Sequence, residues 1–136
     1  MEYRYAVDRR STHVEIEFAG RLVADTIVAI LDDISWHEIR AGKRGLLWDL
    51  RRADLSTYRI EDMTRVRAYD EEGASHVPAS GASPGAARPF RIAAVFRGDA
   101  NHLILRLWQT SGERPDDLER RSFDNIEEAR RWVAAP

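Results

Sequence analysis

Hydrophobic and polar positions alternate at the start of the chain. Tyr3, Tyr5 and Val7 share one face of residues 2–7, and Val14, Ile16 and Phe18 share one face of residues 12–19. A period of two marks half-buried strands. The other face of the second run carries His13, Glu15 and Glu17 and is expected to meet water. The polar link Asp8–Ser11 is short enough for an antiparallel hairpin. After Gly20 the period changes. Val23, Ile27, Ile30, Leu31 and Ile34 recur at helical spacing, which predicts one helix over 23–40. Asp25 lies near its positive end, and Gly42 is placed to close it.

Residues 45–50 (GLLWDL) form a nearly continuous apolar run, the pattern of a strand covered on both faces. A more polar helix follows over 59–72, with Ile60, Met63, Val66 and Tyr69 as its expected buried stripe. Residues 73–89 are rich in Gly, Ala, Ser and Pro and are expected to be a flexible, dispensable loop. Phe90–Phe96 is the second central strand. The segment from Gly98 to about Thr110 is predicted helical from the spacing of Leu103 with Leu107 and Ile104 with Trp108. A charged edge strand at 117–123 precedes a last helix, with Asp124 as its expected cap, Glu127 in its first turn and Ile126, Ala129 and Val133 buried. This order predicts a single α/β domain over 1–136. Its sheet has five strands, is mostly parallel and opens with an N-terminal β-hairpin, and four helices accompany it.

The 136 residues suffice for one domain that builds its core without staples. Cysteine is absent, which removes disulfides, thiolate nucleophiles and Cys-ligated metals. No secretory signal and no apolar run of the ~20 residues needed for a membrane span is visible, so a cytoplasmic protein is expected. With 21 basic and 23 acidic residues the net charge is −2, and the arginine pairs are scattered. That balance lacks the basic stripe of a nucleic-acid binder.

Candidate chemistry is sparse. His13, His37, His76 and His102 fall in different elements at no ligand spacing, so no metal or other cofactor is expected. The acidic pairs are adjacent in sequence and do not face each other on a helix. No phosphate loop, nucleophile elbow or zinc-protease motif is present, and the chain reads as a non-enzyme. Asp49 follows Trp48 at the expected C-terminal end of a central strand, where α/β proteins place functional groups. Its plainer role is to accept backbone N–H groups from the following loop or the next helix. Trp48 and Trp132 are expected in the core, and Trp36, near a helix end, partly exposed.

Three stretches carry a resemblance: LLWDL with Asp49, RIAAVF, and the closing FDNIEEARRWV. Together with the element order they resemble the SpoIIAA-like family of STAS and CRAL-TRIO type domains. That resemblance implies the same α/β fold. It also implies either a regulator switched by serine phosphorylation in the loop after the Asp-ended strand or a relative that binds apolar ligands. The phosphorylated branch has an Asp-Ser-Ser-Gly-like motif there, whereas this chain has Arg51-Arg52-Ala53-Asp54-Leu55-Ser56-Thr57. Asp49, Arg51, Ser56 and Thr57 are therefore the ligand or regulatory candidates, and a helix cap is the alternative role of Ser56 or Thr57. The leading expectation is a non-enzymatic binding or regulatory domain with a protein partner. The alternative is a carrier of a small apolar, lipid-like ligand, and a third reading is an enzyme using Asp49 with Arg51 or Arg52. A homodimer is expected through an uncovered sheet face bearing Glu15, Glu17, Leu47, Ala93 and Val95.

Overall fold

The structure, a computed structural model, describes residues 3–76, 90–97 and 118–135. The alternating and apolar runs become β1 (Tyr3–Arg9), β2 (His13–Arg21), β3 (Gly45–Asp54), β4 (Phe90–Val95) and β5 (Leu118–Phe123). They form one sheet in the order β1-β2-β3-β4-β5. β1 runs antiparallel to β2, and the remaining pairs are parallel, as the sequence pattern predicts. The helices among the described residues are α1 (Ala24–Asp33), α2 (Trp36–Gly42), α3 (Ile60–His76) and α4 (Ile126–Ala134). None of them is long and apolar enough to cross a membrane.

Alternation along the strands sorts the core into two layers. Val14, Ile16, Phe18, Leu46, Trp48, Ile92 and Ala94 face α1, α2 and α3, where Ile27, Ile30, Leu31, Trp36 and Ile39 complete the larger cluster. Leu47, Ala93 and Val95 face the other way and are sealed by Ala129 and Val133 of α4. All five of these residues are fully buried. The apolar surface expected to support a homodimer is therefore covered by the chain's own last helix. Gly45 makes that approach possible, because a Cβ there would lie 2.3 Å from Val133 Cγ2 and 2.4 Å from the Arg91 carbonyl oxygen.

The helix predicted over 23–40 is two helices. Ser35 breaks it with φ 60° and ψ 61°, in the left-handed region. The reason is Trp36. At about 100° per residue, a straight helix would place Trp36 on the side opposite Ile27. The break turns it inward instead, and it ends almost wholly buried, edge-on to Phe90 with ring centroids 5.3 Å apart. The partial exposure expected for Trp36 is thus corrected. Trp132 shifts in the opposite sense: it is half-buried, resting on Phe123 with the Arg91 guanidinium 5.1 Å from its ring centroid.

α3 begins where expected but presents Ile60 to solvent, at 58% exposure. Met63 is its buried anchor, with Val66 and Tyr69 packed at the margin of the core. The helix continues to His76, so the first four residues of the expected 73–89 loop are helical. The rest of that loop, the helix expected near 99–110 and Trp108 lie outside the described residues.

Candidate functional site

The α4 side of the sheet divides into two halves. Over β3 and β4 it is apolar and covered. Over β1, β2 and the end of β3 it is polar and largely open. Strand register sets the side chains in rows across this half: Asp8 beside Glu15, Ala6 beside Glu17 beside Asp49, and Arg4 beside Ala19 beside Arg52.

The pairing of β2 with β3 shifts between Glu17 and Ala19, which face Asp49 and Arg52 respectively. An extra residue on β3 at this point is a β-bulge, and a bulge re-aims the side chains beyond it. Its consequence is that the consecutive residues Arg51 and Arg52 both reach carboxylates on the same face. Arg51 clasps Asp49, donating from Nε to Oδ1 and from Nη2 to Oδ2, each at 2.8 Å, while its backbone N–H donates to Oδ1 at 3.2 Å. Arg52 lies 3.7 Å from Glu17. Burial raises the Asp49 pKa, but the hydrogen bonds from Arg51 and the charges of Arg51 and Arg52 outweigh it and hold the carboxyl below its ordinary value.

One row away sits a denser cluster. Glu15, expected to meet water, is buried, as is His13. Arg130 of α4 reaches across to donate Nε to Glu15 Oε2 at 2.9 Å and Nη2 to Oε1 at 3.0 Å. His13 Nε2 lies 2.9 Å from Oε2, and Arg10 Nε 3.1 Å from the same oxygen. Burial raises the Glu15 pKa, and these donors and positive charges again bring it below the ordinary value. An ionised carboxylate only accepts hydrogen bonds, so Nε2 carries the imidazole proton here. In the neutral ring Nδ1 then accepts from the Thr12 hydroxyl at 2.8 Å.

Between these clusters and β1 lies an open cleft of ≈ 260 Å³ lined by Arg4, Tyr5, Ala6, Glu17, Ala19 and Arg52. Its charged lining suits polar contacts and not an apolar guest. Among the described residues no group of histidines and carboxylates is placed to hold a metal.

The structure separates the predicted site residues. β3 runs on to Asp54, so Asp49 lies within the strand and not at its end. At ~3.3 Å per residue, the strand carries the chain roughly 16 Å further before the turn begins. Asp49 and Arg51 are brought together, whereas Ser56 and Thr57 sit exposed in the turn between β3 and α3, remote from both. The Asp54 carboxylate accepts the Ser56 N–H at 2.9 Å. Neither hydroxyl caps α3. Asp62 in the first turn of α3 instead accepts the N–H of Arg59, the residue before the helix, at 3.0 Å and the Ala24 N–H at 2.9 Å, tying the start of α3 to the start of α1. Asp49 does accept a backbone N–H, but from Arg51 of its own strand and not, as expected, from the loop or the next helix. Sequence reasoning missed His13, Glu15 and Arg130. The polar face of β2 was visible, but nothing local in the sequence says that an arginine on the last helix covers it.

No protein-family model and no curated protein matches this chain. Solved structures do. An anti-sigma factor antagonist from Mycobacterium paratuberculosis superposes with a TM-score of 0.58 at 13% identity, covering 97% of this chain and 94% of its own. An uncharacterized protein with a SpoIIAA-like fold from Shewanella loihica gives 0.56 at 11% identity, over 96% and 93%. The anti-sigma factor antagonist SpoIIAA, in its unphosphorylated form, gives 0.55 at 12% identity, over 98% and 100%. At such low identity the likeness is one of architecture, and it extends over nearly the whole of each chain: this protein has the SpoIIAA-like fold.

Proposed function

We propose that this chain is a non-enzymatic regulatory domain that acts by binding another protein. The observation that carries this reading is the end-to-end likeness of its fold to two proteins described as anti-sigma factor antagonists. Function does not follow from fold alone, so a contact surface on this chain must support it. The turn after β3 and the first turn of α3 supply one. Ile60 is 58% exposed there, and Ser56, Thr57 and Arg59 around it are exposed as well. The exposed Ile60 would serve such a contact as an apolar anchor, next in sequence to Arg59, a residue type enriched at interfaces. Thr57 is also the better placed of the two hydroxyl residues for modification, because Ser56 is already engaged with the Asp54 carboxylate, which would repel a phosphate.

The test is affinity capture from the native host with the intact protein and with Ile60→Asp, Thr57→Asp and a control, Glu38→Gln, on α2. The reading expects a defined protein retained by the wild type and the control and lost by the Ile60 and Thr57 variants. Equal capture by all four, or capture of nothing, overturns it.

A further inference from the structure

We propose that β1 is a docking edge for a second copy of this chain, so that two sheets join into one across a twofold axis at Ala6. Among the described residues β1 is the first strand in the sheet order and pairs only with β2. Natural edge strands are usually blunted by proline, lysine, a bulge or a short length. β1 lacks proline, lysine and a bulge and is seven residues long, YRYAVDR, in unbroken register with its neighbour; its one guard is charge, at Arg4, Asp8 and Arg9. Its side chains are exposed except for Tyr5 and Val7, which are half-buried.

Backbone geometry fixes which groups are on offer. The Arg10 N–H donates to the His13 carbonyl at the hairpin, at 2.9 Å. Bonding alternates along an antiparallel pair, so the N–H and C=O groups of Arg4, Ala6 and Asp8 point at β2. Those of Tyr3, Tyr5, Val7 and Arg9 point outward. A second β1 centred antiparallel on Ala6 sets Tyr5 against Val7 and Tyr3 against Arg9, and these are the residues whose outward groups bond.

The side chains fit the same register. Arg4 falls opposite Asp8 of the second copy, twice by symmetry, with the small Ala6 facing itself at the axis. Tyr3, itself 36% exposed, falls opposite Arg9 in the arrangement of a cation–π contact. Shifting the register by one step either way keeps the backbone bonds but leaves neither charge opposite its partner, with Arg4 facing Ala6 in one shift and Asp8 facing Ala6 in the other. The other edge of the sheet shows the contrast. In β5, LERRSF, any antiparallel self-pairing centred on Arg120 or Arg121 sets arginine against arginine. Centred on Arg120 that edge also sets Glu119 against Arg121, so its charges are mixed, whereas β1 centred on Ala6 has no like-charge pair.

The experiment is sedimentation equilibrium of the full chain from about 1 to 500 µM at low ionic strength. The wild type is expected to dimerise within that range. Arg4→Asp and Asp8→Arg should each weaken the dimer about tenfold, since each turns two opposite-charge pairs into like-charge pairs. The double variant R4D/D8R restores the pairing and should return to within about threefold of the wild type. Val7→Pro, which removes an outward donor and no β1–β2 bond, should also weaken it. Far-UV circular dichroism confirms that each variant is folded. A wild type that stays monomeric at 500 µM overturns the proposal. So does a dimer indifferent to both charge reversals, or one that the double variant fails to restore.

Discussion

Glu15 of β2 and Arg130 of α4 lie 115 residues apart and form a two-point ion pair that joins the last helix to the second strand. The Glu15 side chain is only 9% accessible and that of Arg130 30%. A pair this enclosed is informative when one partner is removed, because the other keeps its desolvation cost. Arg130→Met leaves the carboxylate with His13 and Arg10 and should cost about 2–3 kcal/mol. Glu15→Gln leaves Arg130 with Glu127, its partner at 2.8 Å, and should cost about 1–2 kcal/mol. The double variant should cost less than the sum by about 1 kcal/mol in urea melts. Strict additivity would mean the pair is not coupled.

Acid should weaken the fold through the same carboxylates. Glu15 and Asp49 both titrate below their ordinary values in the folded protein, because their arginine partners outweigh burial. The unfolded chain therefore binds these protons more tightly. The stabilisation is fully present above about pH 5 and is lost as pH falls through the range of the folded groups. Urea midpoints should be level between pH 7 and 5 and drop towards pH 3. Glu15→Gln should show a shallower drop, and an equally steep one would place the sensitivity elsewhere.

Gly45→Ala should destabilise by about 2–3 kcal/mol, as overpacking of a closed contact does. Adding Val133→Ala should not rescue it. That change relieves only the side-chain clash, and the Arg91 carbonyl oxygen 2.4 Å from the new Cβ remains. Full recovery of the melting temperature in the double variant would mean the backbone moves freely there.

Asn125 and Asp124 should behave differently. The Asn125 side chain accepts the N–H groups of Glu127 at 2.9 Å and Glu128 at 3.1 Å, which makes it the cap of α4. Asp124, expected from sequence to be the cap, lies one residue before it and is exposed. Asn125→Ala should cost about 1 kcal/mol, and Asp124→Ala should leave the urea midpoint almost unchanged. The reverse order would return the cap to Asp124.

Much of the architecture was legible because its causes are local. Alternation in 12–19 and the apolar runs at 45–50 and 90–96 mark strands whichever way the rest of the chain folds. The alternation of strands with helices then leaves a mostly parallel sheet as the consistent solution. The cap of α4 was displaced by one residue, within the usual blur of helix ends. What the sequence could not supply was which element covers which face. A period of two announces that Glu15 and Leu47 lie on one side of the sheet, but not that α4 will seal Leu47 and send Arg130 to Glu15. The break at Ser35 was hidden for a related reason. The helical pattern continues across it, and only the demand of Trp36 for a place against Phe90 turns the chain. The bulge that points Arg51 and Arg52 at carboxylates on the same face arises from the pairing of two strands and has no signature in either. Tertiary structure decided these points because burial and charge pairing depend on residues far apart in the chain, whereas periodicity records only what neighbours do.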